Sequence, residues 1–333
     1  MLNSFAICDG VSDAFLQKVR EFLAEWQSES EEIHVKTSGS TGEPKLIRLN
    51  KARVKASAKA TGAFFNFQPG QRVLLNLSPD YIAGKLMLVR ALEHDMQVVI
   101  APNQQNPLEN LTDMELDFGA FVPYQVEAML KNEHTRRRYQ NIKNVIIGGA
   151  PVSLALEQEL KTLTNQSFAT FGMTETITHF ALRNLSAGDS FYRCLPGITI
   201  RQDERRCLII EPNAVCNELV TNDLIEPINP HEFKWLGRAD FVVNSGGIKL
   251  SPEQLEKKVS LVLENYAFYF GGRPSEKYGE ELVLYIEGEE PEGWDELYAQ
   301  VCQQLGKYER PKAVVFMPEF ERTETGKIKR IRN

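Results

Sequence analysis

Residues 73–101, VLLNLSPDYIAGKLMLVRALEHDMQVVIA, contain two short apolar runs on either side of a helical segment. The runs Val73 to Leu77 and Gln97 to Ala101 are bounded by polar or turn residues, which is typical of buried strands. Between them, Leu86 to Leu92 is a helical segment. A strand, a helix and a second strand in this order predict one unit of a largely parallel sheet.

The same alternation continues on both sides of this unit. Amphipathic helices are predicted over about Asp13 to Glu29 and over Lys51 to Phe65. Further along, the runs Gly119 to Val122 and Val145 to Ile147 predict strands, with a helix at Tyr124 to Lys131 between them. We therefore expect an α/β fold in which a large N-terminal domain contains parallel-sheet α/β layers.

After Gly188 the pattern changes towards β-structure. Apolar runs such as Cys207 to Ile210 and Glu218 to Thr221 are separated by turn dipeptides, which predicts a β-rich subdomain. A domain boundary is expected near Arg238-Ala-Asp240. The N-terminal domain would then comprise residues 1–238 and a C-terminal domain residues 239–333.

The C-terminal segment has its own helix and strand signals. Ser251-Pro-Glu-Gln254 predicts a helix start, with Ser251 as the N-cap and Gln254 completing a capping box. Strands are predicted at Leu282 to Glu287 and Ala313 to Met317, and a helix at about Trp294 to Leu305. These elements predict a small α+β domain joined to the large one by a hinge.

Composition excludes several classes of protein. The 333 residues include 38 Lys and Arg against 45 Asp and Glu, a net charge of −7 that argues against a general nucleic-acid binder. No run approaches the roughly 18 apolar residues of a membrane span, and Met1 to Asp9 lacks the features of a signal peptide. The 5 cysteines are odd in number and form no C-x-x-C pair, so we expect reduced thiols in a cytoplasmic protein.

The segment Thr37-Ser-Gly-Ser-Thr-Gly-Glu-Pro-Lys45 is the strongest single functional signal. Its hydroxyls can donate to phosphate oxygens, its glycines let backbone N–H groups form an anion nest, and its lysine adds positive charge. The residues concerned are Thr37, Ser38, Gly39, Ser40, Thr41, Gly42 and Lys45. The alternative is a flexible linker. A strand-like segment before the loop and an apolar one directly after it favour the phosphate loop.

Two further motifs could complete a nucleotide site. In Phe168 to Thr176, Thr174 offers a hydroxyl to a phosphate and Glu175 an oxygen ligand to Mg²⁺, although this segment alone favours a helix start capped by Thr174. Gly148-Gly-Ala-Pro151 follows a predicted strand, where a glycine pair lets a planar base approach the backbone. The alternative is an ordinary tight turn, which is the more common role of a glycine pair after a strand.

The last two motifs carry charge. Asp223 can accept both hydroxyls of a ribose, and Arg238 could hold the ribose or the α-phosphate. The alternative is an ordinary turn and a surface ion pair. Near the C-terminus, Thr325-Gly326-Lys327 is typical of a turn that presents one ammonium group, whereas most basic tails are simply solvated.

Taken in this order, the five motifs resemble those of the adenylate-forming superfamily, which comprises acyl-CoA synthetases, luciferases and peptide-synthetase adenylation domains. The resemblance covers the chain from Thr37 to Lys327. It implies an ATP-dependent acid–thiol ligase that uses ATP, Mg²⁺ and coenzyme A, forms an acyl-adenylate and then a thioester, and binds neither nucleic acid nor membrane. Departures are the short segment before Thr37, Phe171 for the usual tyrosine, Asn222 for glycine and Glu321 for proline.

The resemblance also implies residue roles. Lys327 would be the catalytic lysine, Thr174 and Glu175 would meet phosphate and Mg²⁺, and Asp240 would lie at the hinge. Besides the phosphate loop, the nucleotide-binding residues would be Gly149, Ala150, Pro151, Thr170, Phe171, Gly172, Asp223 and Arg238. Coenzyme A would pass along Ser245, Gly246 and Gly247.

Within that superfamily, the o-succinylbenzoate–CoA ligases of menaquinone biosynthesis are what the chain most resembles, by its short length and by the segments Val122-Pro-Tyr124, Ile147 to Pro151 and Phe171 to Thr176. A small aromatic dicarboxylate needs polar groups in an otherwise apolar pocket, for which the candidates are Tyr81, Lys85, Thr178 and His179. Lys85 could pair with the second carboxylate, the alternative being a solvated lysine on a helix face. The alternative for His179 is a structural histidine that caps a local carbonyl group. The alternatives are another aryl or acyl acid, a carrier-protein thiol as acceptor, or a non-catalytic adenylate-binding protein.

Overall fold

The structure is a computed structural model that describes residues 5–36, 46–322 and 328–330. The α-helices of these residues are α1 Asp13–Gln27, α2 Lys51–Phe65, α3 Ile82–Glu93, α4 Pro123–Lys131, α5 Glu133–Gln140, α6 Leu154–Leu160, α7 Pro252–Val259 and α8 Trp294–Gln304. Single 3₁₀ turns cover Thr174–Thr176 and Ala239–Phe241.

The strands fall into one large and two smaller sheets. In chain order they are β1 Phe5–Ile7, β2 Glu32–Lys36, β3 Leu46–Asn50, β4 Arg72–Leu75, β5 Gln97–Ile100, β6 Leu116–Phe121, β7 Ile142–Ile147, β8 Gln166–Gly172, β9 His179–Asn184, β10 Tyr192–Cys194, β11 Ile200–Gln202, β12 Cys207–Ile210, β13 Leu219–Asn229, β14 Glu232–Arg238, β15 Val243–Ser245, β16 Ile248–Leu250, β17 Phe268–Ser275, β18 Gly279–Glu287 and β19 Ala313–Met317.

The large sheet has twelve strands in the order β1-β5-β4-β6-β7-β8-β9-β10-β14-β13-β12-β11. Across the sheet in this order, neighbouring strands are parallel from β1 as far as β8, and they are antiparallel from β8 to the last strand, β11. The expected parallel α/β layers with a β-rich extension are therefore confirmed. Sequence patterns did not predict β1, because three exposed residues at a sheet edge carry no periodic signal.

Helices cover both faces of the parallel strands, and each face has its own apolar core. Phe15, Val19 and Phe22 of α1 enter the larger core, which extends beneath α2 and α3 into the antiparallel strands. The second core lies under α4, α5 and α6. Asn50 is the last residue of β3 and the N-cap of α2, because its Oδ1 accepts hydrogen bonds from the N–H groups of Ala52 and Arg53.

The smaller C-terminal domain is built on a second sheet, ordered β16-β15-β18-β17 with β19 parallel to β18. Helices α7 and α8 pack on this sheet around Val259, Phe270 and Leu284. The remaining sheet is the β2–β3 hairpin, whose strands lie on either side of residues 37–45. Across the described ranges, no helix combines the length and apolar character that crossing a membrane requires.

The predicted capping box of α7 does not form. Pro252 does begin the helix, but Ser251 Oγ donates to the carbonyl oxygen of Leu236 at 2.6 Å, and Gln254 Nε2 donates to that of Trp235 at 3.2 Å. Both side chains therefore tie α7 to β14 of the large sheet. The sequence pattern could not indicate this, because a capping box is local and the partners lie on another element.

Candidate active site

A pocket of about 450 Å³ opens at the carboxyl ends of β4, β6, β7 and β8. This is where open α/β sheets bind their ligands, since loops that follow neighbouring parallel strands meet at one edge. Its wall includes sequence-predicted residues from separate parts of the chain: Tyr81, Gly149, Thr170, Thr174, Thr178 and His179. The β2–β3 hairpin closes one side through Val35, Lys36, Ile47 and Leu49.

One end of the pocket is shaped by the loop after β7. A Cβ atom at Gly148 would lie 2.2 Å from Thr170 Oγ1, so only glycine lets these two strand ends approach so closely. Gly149 has φ +84°, a backbone conformation that favours glycine. Gly149, Ala150 and Pro151 are exposed, which leaves a flat and open backbone surface beside Thr170. A planar base fits such a surface.

Beyond β8, the backbone turns sharply into the 3₁₀ turn Thr174–Thr176. The turn is capped by Thr176, whose Oγ1 accepts from the N–H of Met173 at 3.0 Å. The interpretation of Thr174 as a helix cap is therefore wrong, and its side chain instead lines the pocket. A Cβ at Gly172 would lie 2.2 Å from the carbonyl oxygen of Thr178, so glycine permits this turn.

Glu175 is the candidate Mg²⁺ ligand, and it is exposed within that turn. In the part of the chain that the structure describes, His, Cys, Asp and Glu side chains form no cluster of three that could hold a metal alone. A single carboxylate fits Mg²⁺ nonetheless, because this ion is commonly bound by one or two carboxylates together with substrate phosphates and water. The donor set therefore fits a metal that arrives with a nucleotide.

Phe171 lies in a cluster of aromatic rings. Its ring centroid is 5.2 Å from that of Tyr192, 5.5 Å from Phe233 and 5.7 Å from Phe180. These contacts hold the half-buried ring in one orientation next to the glycine turn. Phe171 can thus offer an aromatic face, as expected, without the hydroxyl that a tyrosine would add.

Asp223 and Arg238 are brought together by the β13–β14 ladder, in which they are direct cross-strand partners. Asp223 is buried; its Oδ1 accepts a hydrogen bond from Trp235 Nε1 at 3.0 Å, and its Oδ2 lies 3.9 Å from an Arg238 nitrogen. One carboxylate oxygen is therefore fixed by the indole. The other faces the guanidinium at a distance longer than a hydrogen bond.

Asp240, the predicted hinge residue, lies two residues beyond β14. Its carboxylate accepts from Arg238 at 2.8 Å and from Asn222 Nδ2 at 3.1 Å. Asn222, the residue found in place of a common glycine, thus has a partner between the large sheet and the sheet of the C-terminal domain. In the C-terminal domain, Ser245, Gly246 and Gly247 do not form an open loop: β15 and β16 form a hairpin whose turn glycines both have positive φ.

The other end of the pocket contains a buried positive charge that sequence analysis missed. Arg90 of α3 is 2% exposed, lines the pocket, and has no hydrogen-bond partner at Nε or Nη2. Burial lowers its pKa to about 9, so the guanidinium is still charged in neutral water. The sequence does contain a signal for this buried charge, because Arg90 is the one charged residue in the apolar segment Leu86 to Leu92.

His179 lies close to this charge. The imidazole is buried, and its pKa is well below the ordinary value because of burial and the positive charge of Arg90. Its Nε2 lies 3.4 Å from Thr61 Oγ1. The neutral ring and the charged guanidinium therefore face the same pocket, together with the apolar side chains of Ile146 and Ile177.

Lys85 requires a correction. Its side chain is buried, its Nζ donates to Glu25 Oε2 at 3.0 Å, and it lies 4.4 Å from the ring centroid of Phe22. Lys85 is not among the described residues that line the pocket. It pairs with a carboxylate of the protein, and Arg90 is the cation of α3 that lines the pocket.

The phosphate loop Thr37 to Lys45 and the lysine Lys327 lie outside the described residues. Lys36 and Leu46, which border the loop, end β2 and begin β3. Both strands contribute to the pocket wall. Lys36, the residue before the loop, itself lines the pocket.

Two profiles of known protein families match the chain. Residues 35–204 match the profile of the AMP-binding enzyme family, and residues 267–327 match the AMP-binding enzyme C-terminal domain. The chain belongs to the AMP-binding enzyme family. The expected membership of the adenylate-forming superfamily is confirmed, and the C-terminal match ends at Lys327.

Curated relatives of this AMP-binding enzyme include ligases from several bacteria. The 2-succinylbenzoate–CoA ligase of Lactococcus lactis is 23% identical over 335 residues, covering 92% of this chain and 71% of that protein. The enzyme of the same name from Bacillus subtilis is 24% identical, covering 88% of this chain and 66% of its own length. The chain thus spans about two thirds of the length of these relatives.

Similar solved structures include one of nearly the same length. The acyl-CoA synthetase (AMP-forming)/AMP-acid ligase II-like protein of Dyadobacter fermentans is 38% identical, with a TM-score of 0.67, and the match covers 95% of this chain and 92% of that one. The o-succinylbenzoate CoA synthetase of Bacillus subtilis in complex with its acyl-adenylate has a TM-score of 0.72 at 20% identity, with 89% and 67% covered. At that identity, the second match shows the fold alone.

Proposed function

We propose that this AMP-binding enzyme is an acid–thiol ligase that joins o-succinylbenzoate to AMP and then transfers the acyl group to coenzyme A. The family membership supports the AMP-forming chemistry. The observation that carries the choice of acid is Arg90, a buried guanidinium with two unpartnered nitrogens in the pocket wall. The ring of Phe118, whose centroid is 5.8 Å from Arg90 Cζ, contacts the guanidinium but brings no negative charge. A buried charge without an ionic partner is costly, so this site favours a ligand that brings a negative group.

An acid with two carboxylates meets both requirements of the pocket. One carboxylate must stay free to react with ATP, and the other can form a charge-assisted hydrogen bond with Arg90. The aromatic ring between them suits the apolar side chains of Ile82, Ile146 and Ile177. His179, held neutral by its surroundings, adds no second charge but can exchange a hydrogen bond with the acid. Tyr81 and Thr178 supply further polar atoms.

The nucleotide would occupy the opposite end of the pocket. The base would lie on Gly149 and Ala150 beside Thr170 and Phe171, and the ribose would be bound by Asp223 and Arg238. Residues 37–45 would surround the phosphates. Glu175 would hold Mg²⁺, which when bound neutralises phosphate charge.

The first step would be an in-line displacement. A carboxylate oxygen of the acid attacks the α-phosphorus of ATP, the new O–P bond forms as the bond to the bridging oxygen breaks, and pyrophosphate leaves with its electron pair. Positioning and charge neutralisation provide most of the catalysis in such transfers. Lys327 would bridge the carboxylate and the α-phosphate, where negative charge accumulates.

The second step transfers the acyl group to a thiol. The sulfur of coenzyme A loses its proton and attacks the carbonyl carbon of the mixed anhydride, and AMP leaves. We propose that residues 239–333 rotate about Asp240 between the steps, which removes Lys327 and brings the turn at Ser245, Gly246 and Gly247 to the thiol. All five cysteines are free thiols, which supports a cytoplasmic location.

The test is ATP–pyrophosphate exchange with a panel of acids: o-succinylbenzoate, benzoate, succinate and a short fatty acid. We expect o-succinylbenzoate to give the highest kcat/KM. A higher value for benzoate or the fatty acid would contradict the proposed acid while retaining the ligase. Failure of every acid to support exchange would contradict the ligase itself and favour a non-catalytic adenylate-binding protein.

A further inference from the structure

We infer that Lys85 and Glu25 are positioning residues, whose ion pair holds helix α1 against the two elements that form the front wall of the pocket. The front wall is defined here as Val35 and Lys36 of β2 together with Ser78, Tyr81 and Ile82 at the start of α3. The inference rests on the proposed function, because it concerns how that acid and ATP are placed.

The carboxylate of Glu25 joins three elements. It lies in the last turn of α1; its Oε2 accepts from Lys85 Nζ of α3 at 3.0 Å, and its Oε1 accepts from the backbone N–H of His34 in β2 at 2.8 Å. The imidazole Nδ1 of His34 lies 3.0 Å from the same oxygen. Both carboxylate oxygens are therefore in use, one for each part of the wall.

Burial and an aromatic ring hold the ammonium group of Lys85 in place beside Glu25. The side chain is 8% exposed, and its ammonium group lies over the ring of Phe22, also from α1. Burial alone would raise the pKa of Glu25. Hydrogen bonds from His34 and Lys85 outweigh this effect, so the pKa is lowered. Loss of either partner leaves the other charge poorly solvated, which displaces α1 from the wall.

A second set of contacts fixes the same wall at its other end. Lys18 of α1 forms an ion pair with Asp80, whose backbone oxygen accepts from the N–H of Lys36 at 3.2 Å. Asp80 Oδ2 also accepts from Ser78 Oγ at 3.2 Å. Helix α1 is thus held to the wall at two points.

The wall connects directly to the reacting groups. Lys36 precedes Thr37, the first residue of the proposed phosphate loop, and α3 carries Arg90 five residues after Lys85. The Lys85–Glu25 pair therefore sets the spacing between the strand that leads to the ATP phosphates and the helix that carries the charge for the acid. Lys85 acts through these neighbours, since it is not among the described residues that line the pocket.

The test compares Lys85→Met, Glu25→Gln and the double variant in ATP–pyrophosphate exchange, using the acid that the wild type activates best. We expect each single variant to raise KM for the acid and for ATP about tenfold, since a displaced wall would cost each substrate roughly one hydrogen bond, about 1.4 kcal/mol. We expect kcat to change less than twofold. The double variant should be milder than either single one, because it leaves neither buried charge without its partner.

Two control variants separate positioning from general stability. Lys85→Arg keeps the charge and should keep wild-type KM values. Arg138→Met breaks the ion pair between Arg138 of α5 and Asp113, where the arginine is similarly buried at 11% exposure, and should lower the melting temperature without raising either KM. If Lys85→Met lowers the melting temperature but leaves both KM values unchanged, the pair is structural only and the inference is wrong.

ATP binding, measured by calorimetry, separates failure of this inference from failure of the proposed function. If no acid supports exchange, the ligase proposal fails, and the dissociation constant of ATP still reports on the wall. We expect that constant to rise about tenfold in Lys85→Met. An unchanged constant, or a wild type that does not bind ATP, would overturn the inference.

Discussion

Trp235 donates its indole N–H to Asp223 Oδ1 at 3.0 Å, across the β13–β14 pair. The bond fixes the buried carboxylate with one oxygen occupied and directs the other towards Arg238. A ribose with two adjacent hydroxyls requires a carboxylate in one orientation. The indole is therefore the group that orients Asp223 for the proposed ribose contact.

Asp223→Ala should raise KM for ATP, because it removes the acceptor of the ribose hydroxyls. We expect a rise of ten- to a hundredfold, the range of one to two charge-assisted hydrogen bonds. Trp235→Phe keeps the carboxylate and should raise the same KM only a few-fold. Steady-state exchange kinetics with varied ATP measure both, and an unchanged KM in Asp223→Ala would remove this residue from the ribose site.

Gly148→Ala should weaken ATP binding, because the new Cβ would lie 2.2 Å from Thr170 Oγ1 and push the two strand ends apart. We expect KM for ATP to rise about tenfold. The double variant Gly148→Ala/Thr170→Ala removes the colliding hydroxyl and should recover part of the loss. If the double variant is weaker than Gly148→Ala, the steric explanation is wrong.

Lys327→Ala should separate the two half-reactions. Adenylate formation should fall by on the order of a hundred- to a thousandfold, as is typical for loss of one preorganised donor at a site of developing charge. Transfer from a pre-made acyl-adenylate to coenzyme A should change little. Measuring both reactions separately checks this, and an equal loss in both would contradict the assigned role.

His179 predicts a specific pH dependence of stability. Its folded pKa is lowered by burial and by Arg90, so below the ordinary value of about 6.5 the unfolded chain binds a proton that the folded protein does not. The free energy of unfolding therefore falls as the pH drops through that value. In His179→Gln this contribution is absent. Between about pH 7.5 and 5.5, we therefore expect the free energy of unfolding to fall by about 1 kcal/mol less in the variant than in wild type.

Urea unfolding at several pH values measures this difference. Glu159→Gln, in α6 on the far face of the sheet, serves as a control that should retain the wild-type slope in this range, because it leaves His179 and Arg90 unchanged. Parallel curves for wild type and His179→Gln would show that the histidine titrates alike in the folded and unfolded states.

The sequence was sufficient to predict elements whose signals are local. Helix α2 and strands β12 and β19 have the predicted bounds, because their apolar patterns end at clear breaks. Helix α1 ends two residues early, at Gln27. Strand β13 extends to Asn229 rather than ending near Thr221, because its partner β14 continues the ladder and no local pattern carries that information.

The pocket was predictable only in part, for a physical reason. Residues that follow strands, such as Gly149 and Thr174, are signalled by the turn chemistry next to them. Arg90 and Lys85 lie on one apolar helix, and sequence alone could not decide which of the two cations faces the cavity. That choice depends on Glu25, sixty residues away, which accepts the hydrogen bond of Lys85 and leaves Arg90 without a partner at Nε and Nη2.

The central claim is that Arg90 selects an acid with a second carboxylate. The most direct measurement is the ratio of kcat/KM for o-succinylbenzoate over benzoate, in wild type and in Arg90→Met. We expect the ratio to fall at least a hundredfold, since a buried charge-assisted pair contributes about 3 kcal/mol or more, while benzoate alone is little affected. An equal loss for both acids, or an unchanged ratio, would contradict the claim.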